Sequence, residues 1–149
     1  LYINSLGDPV LAGMATGAAG MMSIMAGLAV YDTMRHIKSE VVTICLGQAR
    51  GMAAVLLSCG AKGKRAALPH STIALMHPYS GSRGQATDIE VSAKEVLNKQ
   101  ALVLEILTQT TGQEPKKLAK DMERMFYLTS EEAKVYGLID RVIENPPTT

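Results

Sequence analysis

The sequence predicts an α/β domain built on a largely parallel sheet, and three observations carry that expectation. Short apolar runs rich in β-branched residues alternate with longer stretches of helical periodicity. The run VVTICL, Val41 to Leu46, is apolar apart from Thr43, as a strand buried on both faces requires. It leads through ICLGQARGMAAVLL, where a strand meets a small-residue turn and then a helix-like run, the pattern of a strand-turn-helix elbow. With 149 residues and 47% hydrophobic content the chain has enough apolar material for one domain with a core.

Taken in order, LYIN (Leu1 to Asn4) reads as the interior of a strand. The absence of an initiator Met and of a signal-like segment predicts that the N-terminal part of the domain precedes this sequence. SLGDP is a turn. From Val10 to Val30 there is no charge, which is long enough for a membrane span. Four glycines, Thr16 and Ser23 weaken that reading and favour a glycine-bearing buried helix or an ordered apolar loop. GLAVYDTMRHI places Leu28, Tyr31 and Met34 at helical spacing, so a helix runs to about Lys38. The strand Val41 to Leu46 follows, then the elbow, then a helix ending at Gly60.

AKGKR is a basic turn, and Ala66 to Leu68 and Thr72 to Met76 read as short strands separated by Pro69. A polar loop, Pro78 to Gln85, precedes a long helix from about Thr87 to Thr110. Its inner side is expected to hold Ile89, Val96, Leu97, Leu102, Val103, Ile106 and Leu107. A further helix is predicted from Glu114 to about Met125. Thr129 then caps a short helix with Glu132 three positions on, Gly137 ends it, and Ile139 to Ile143 is a final strand.

Composition narrows the function classes. Fifteen basic residues against fourteen acidic ones leave a formal charge of +1, and Lys62, Lys64 and Arg65 form the one dense basic cluster. That is no footprint for a phosphate backbone, so nucleic acid is not an expected partner, and neither is a membrane. Cys45 and Cys59 fall on a predicted strand and helix and read as small buried hydrophobes rather than a disulfide. No residue pattern calls for a metal or cofactor.

The elbow segment ICLGQARGMAAVLLSCGAKGKRAALPHS resembles the active-site segment of the Clp protease proteolytic subunit, ClpP. LYINS, YDTMRHIKSEV, GQATDIE, TGQ, DMERMFYLTSEEA and YGLIDRVI stand in the same family's order, so the likeness covers nearly the whole chain. It implies the ClpP/crotonase type of β-α superhelix, a single domain with a protruding handle of strand and helix at Pro78 to Gln85 and onward from Thr87. It also implies an uncharged insertion at about residues 11–25, beside the active site.

ClpP subunits are serine proteases, which need a nucleophile, a base and a carboxylate that orients the base. At the position matching the family's Ser this chain has Gly51, at that of the His it has Met76, and at that of the Asp it has Met125. None of the three can exchange a proton at neutral pH. The family's PGG oxyanion turn reads LGD here, so Gly7 is kept and the Asp8 carboxylate stands where negative charge would oppose catalysis. His77 is adjacent to the vacant base position, but strand alternation turns it to the opposite face from Met76.

A degenerate triad on a kept architecture resembles the ClpR subunits of cyanobacteria and plastids. The implied function is that of a non-catalytic subunit in heptameric rings with active ClpP paralogues, served by an AAA+ unfoldase such as ClpC. Its location would be the chloroplast stroma or the cyanobacterial cytoplasm. By the same resemblance Tyr2, His36, Ile44, Ala66 and Leu68 match an unfoldase-docking pocket, and Asp88, Glu90 and Arg124 are candidates for contacts between rings. The residues alone leave two alternatives open: a hydrolase that recruits His77 with Ser80 or Ser82, and a crotonase-like acyl-CoA enzyme.

Overall fold

The computed structural model describes residues 1–7, 18–77 and 85–144, and the side chains of 18–20 stand outside that description. Asp8, the first part of the insertion and the loop 78–84 therefore lie outside the described residues, Ser80 and Ser82 with them. Six strands and five helices follow in the order β1 (Tyr2–Ser5), α1 (Ala18–His36), β2 (Thr43–Arg50), α2 (Met52–Ser58), β3 (Arg65–Ala67), β4 (Thr72–Leu75), α3 (Ala86–Thr111), α4 (Pro115–Asp121), β5 (Phe126–Thr129), α5 (Ser130–Tyr136) and β6 (Arg141–Val142). This is the mixed α/β architecture expected from the sequence.

The sheet is organised around β2. Parallel β1 lies on one edge of β2, while β3 pairs with its first half (Thr43 to Cys45) and β4 with its second (Gln48 to Arg50). The change of neighbour falls at Gly47. There the Ser71 hydroxyl accepts from the Gly47 amide at 3.2 Å and donates to the Cys45 carbonyl at 3.1 Å, so one side chain stitches the gap. β6 adds parallel to β3, and β5 adds antiparallel to β4.

The core lies between one face of this sheet and helices α2 to α5. Cys45, Ala49, Leu57, Ile73, Leu75, Leu107, Leu118, Leu138 and Ile139 are almost completely buried there. Each Leu or Ile so buried contributes about 1.5–3 kcal/mol through removal of apolar surface from water. Beneath the core, Arg65 binds several chain ends at once. One Nη donates to the carbonyls of Ser58, Thr110 and Gly137, at the ends of α2, α3 and α5, while Nε and the other Nη hold Asp140. Asp140 also accepts from the amides of Gly63 and Arg65, and its carboxyl is held below the usual range chiefly by the Arg65 guanidinium.

Four expectations need correction. Phe126–Thr129 forms β5, where the sequence reading places no strand, and α4 ends at Asp121, leaving Met125 in the link to β5. β2 runs on through GQAR to Arg50 instead of stopping at Leu46. In α3 only Val103, Ile106 and Leu107 are buried, whereas Ile89, Leu97 and Leu102 are exposed. A helix of 26 residues is about 39 Å long, and the first half of this one runs clear of the core, as a handle does. Finally, α1 is one helix of 19 residues, but it is not buried: Ile24 and Gly27 touch the interior, while Met22 and Met25 face outward. No helix among the described residues is long and apolar enough to cross a membrane. Both cysteines are free. Cys45 is buried, and Cys59 is half-buried with its thiol pushed up to about 11 by burial.

Candidate functional site

The elbow forms because β2 must leave the sheet and enter α2 within one residue, and Gly51 makes that turn with φ 54° and ψ −122°. This backbone is strained for any residue with a Cβ, and glycine adopts it freely. Its amide donates to the Ala74 carbonyl at 2.9 Å, and its carbonyl accepts from Ala54 and Val55, so the turn is fixed from both sides. A Cβ built at Gly51 would meet no atom within 4 Å. The space that a nucleophile's side chain would enter is therefore open.

The other two positions matched by resemblance to a triad, Met76 and Met125, lie beside this turn. β4 pairs with β5 in the register Ala74 to Tyr127 and Leu75 to Phe126, so the next residues, Met76 and Met125, stand opposite each other just beyond the paired segment. Two-residue alternation sorts the faces. Ile73, Leu75, Phe126 and Leu128 point into the core, while Thr72, Ala74, Met76, Met125, Tyr127 and Thr129 share the other face. Gly51, Met76 and Met125 thus come together at one end of the sheet, with two thioethers and no titratable side chain among them.

His77 goes the other way. Its Nε2 donates to the Ala119 carbonyl of α4 at 3.1 Å, and its backbone amide donates to the Met122 carbonyl. His70 and His36 are exposed, the first in the turn before β4 and the second at the end of α1. Ser58, the hydroxyl nearest in sequence, is buried at the far end of α2 and bonded to Val55 and Thr110. Among the described residues no cluster of three or more His, Cys, Asp or Glu is arranged to hold a metal.

The turn at Gly7 packs directly on the elbow. Gly7, at φ 77°, approaches so closely that a Cβ there would lie 2.2 Å from the Arg50 carbonyl oxygen. Helix α1 crosses at the same place, since a Cβ on Gly27 would collide with the Met52 side chain. An apolar cleft of about 410 Å³ lies between β1, α1 and α2.

Of the residues matched to the docking pocket, Tyr2, Ile44 and Ala66 form one row across β1, β2 and β3, and Leu68 follows at the end of β3. Tyr2 is 73% exposed and Leu68 38%, whereas Ala66 is buried. The row continues to Arg141 of β6, which sequence reasoning did not single out. His36 sits apart, exposed at the end of α1. Asp88, Glu90 and Arg124 are exposed, the first two in the opening turns of α3. Reasoning from the sequence also passed over Arg50, whose guanidinium lies 5.5 Å from the centre of the Tyr127 ring, although GQARG displays it next to Gly51.

Residues 18–146 match the model of the Clp protease family. Over 145 residues the chain is 52% identical to a protein of Synechocystis sp. that carries the provisional name ATP-dependent Clp protease proteolytic subunit-like. The match takes in 97% of this chain and 62% of that relative, so the chain spans less than two thirds of the relative's length. Strand-turn-helix elbow, β2-centred parallel sheet and projecting α3 agree with that match, and the chain belongs to the Clp protease family.

Proposed function

We propose that this chain is a non-catalytic, ClpR-type subunit of the Clp protease core. The observation that carries the reading is the elbow itself: backbone geometry suited to a nucleophile, with Gly51 in the nucleophile's place and Met76 and Met125 opposite each other where a base and its carboxylate would stand. Removing a single triad member costs several orders of magnitude in rate, and here all three side chains lack the chemistry.

The subunit's work is then architectural. It enters mixed heptameric rings with active ClpP paralogues, in the chloroplast stroma or a cyanobacterial cytoplasm, and α3 with Asp88 and Glu90 lies toward the opposing ring, as does Arg124. The row of Tyr2, Ile44 and Ala66, with Leu68, supplies part of the surface for the loops of an unfoldase such as ClpC. The uncharged segment that ends in α1 contacts a neighbouring subunit or covers the inert site.

The test is co-expression with the catalytic paralogue, followed by native mass spectrometry and labelling with a fluorophosphonate. Mixed rings of fixed stoichiometry in which only the paralogue is labelled are expected. Labelling of this chain, or its exclusion from the rings, overturns the reading.

A further inference from the structure

Among the described strand residues, Arg50 is the one charged side chain on the open face of the sheet beside Met76 and Met125. The register Arg50 to Ala74 to Tyr127 forms a row across β2, β4 and β5, and the row of Met76 and Met125 is the next one along the same face. Arg50 reaches across the small Ala74 to place its guanidinium over the Tyr127 ring. Stacking fixes the plane of the guanidinium and leaves its edge for recognition. It makes no ion pair with any described residue, and its Nε–H is shut off from water with no acceptor. The two Nη groups are not shut off in this way, and a planar carboxylate set edge-on to them makes two charge-assisted hydrogen bonds.

We propose that Arg50 is a carboxylate-binding residue, and that the inert site of this chain holds peptides by a carboxylate group where a catalytic subunit would cut them. The inference rests on the non-catalytic reading. It adds a ligand class that the reading does not specify. Three features on one face fit a peptide end: the cation of Arg50, the apolar thioethers of Met76 and Met125, and the open space over Gly51. A cleaved peptide presents a terminal carboxylate, and an intact acidic segment presents a side-chain one.

The experiment uses the purified full chain in mixed rings whose catalytic paralogue carries Ala in place of its nucleophilic Ser, with a fluorescein-labelled hexapeptide of alanine and leucine read by fluorescence anisotropy. Three forms are compared: free C-terminus, C-terminal amide, and amide with one internal aspartate. The free acid is expected to bind at least tenfold more tightly than the plain amide. The aspartate peptide tells which carboxylate is taken: affinity equal to the acid extends the site to side chains, and affinity equal to the amide restricts it to chain ends. Arg50→Met should remove the preference for acid over amide while ring assembly by native mass spectrometry is unchanged, and Tyr127→Leu should reduce it. Equal binding of acid and amide, or a preference unchanged in Arg50→Met, overturns the proposal. Failure of the non-catalytic reading has a separate signature, hydrolysis of the peptide by this chain itself.

Discussion

The two ends of β2 make opposite use of their polar groups. At its start, Thr43 pairs with Arg65, whose guanidinium gathers the carbonyls of three helix ends and the carboxylate of Asp140. At its finish, β2 turns through Gly51 into a site where Met76 and Met125 offer no proton and Arg50 has an unmet donor. The first end holds the fold together. The second is a strand-turn-helix elbow with no titratable side chain at Gly51, Met76 or Met125. The polar network that locks the helices is thus at the opposite end of β2 from the elbow.

The strongest test of that division is Arg65→Met. It removes bonds to three carbonyls and leaves the Asp140 carboxylate without its cation, so it should cost about 3–5 kcal/mol in urea unfolding. Arg65→Lys should recover only part of this, since an ammonium cannot reproduce the planar fork. A loss below about 1 kcal/mol in Arg65→Met would show that the helix ends are held by packing alone.

The next pair probes the elbow through its two glycines. Gly7→Ala drives a methyl into the Arg50 carbonyl as well as straining a left-handed backbone, and should cost about 2–4 kcal/mol. Gly51→Ala meets open space, so only the strained-backbone cost of about 1–3 kcal/mol remains. Gly51→Ser should match Gly51→Ala in stability and stay unlabelled by a fluorophosphonate, because neither neighbouring methionine can take its proton. Labelling of that single variant would show that some other group acts as a base. Equal costs at Gly7 and Gly51 would show that the turn at Gly7 does not press on the elbow.

What the sequence displays, and what it hides, follows the same split. The elbow, the Thr129 cap with its Glu132 partner and the end of α5 at Gly137 were readable because each is written within a few consecutive residues. The positions of Gly51, Met76 and Met125 were readable as matches to a family, and their meeting at one end of the sheet depends on β5, which was missed. Arg65 was read as part of a basic turn, since its partner Asp140 stands 75 positions away and no local pattern announces such a bond. The outward face of α3 was misjudged for a similar reason. Helical periodicity marks an apolar stripe, and whether the stripe meets the core depends on where the helix runs.

Acid should weaken the Arg65 end before the elbow. Asp140 has its folded pKa depressed by Arg65, so its contribution is fully present above the unfolded value, about 3.9, and is lost as pH falls through the folded value. Stability measured from pH 6 downward should therefore fall below about pH 4, and Asp140→Asn should be less stable at neutral pH with a shallower acid slope. Glu132, held low by the Thr129 amide, leaves a residual slope in that variant. An acid slope unchanged by Asp140→Asn would remove Arg65 and Asp140 as its source.

The smallest effect sharpens the comparison within a single turn. Lys64 precedes Arg65 in the same basic run and pairs with Glu40, but the two side chains are 47% and 68% exposed, against 6% for Arg65. An exposed pair gains little over its hydrated partners and is screened by salt, so Glu40→Gln should change stability by about 0–1 kcal/mol and by less in high salt. If Glu40→Gln approached the cost of Arg65→Met, charge in the basic turn would be the stabilising factor. The expected gap between them instead attributes the stability to burial, to the fork geometry of one guanidinium, and to the helix ends that converge on it.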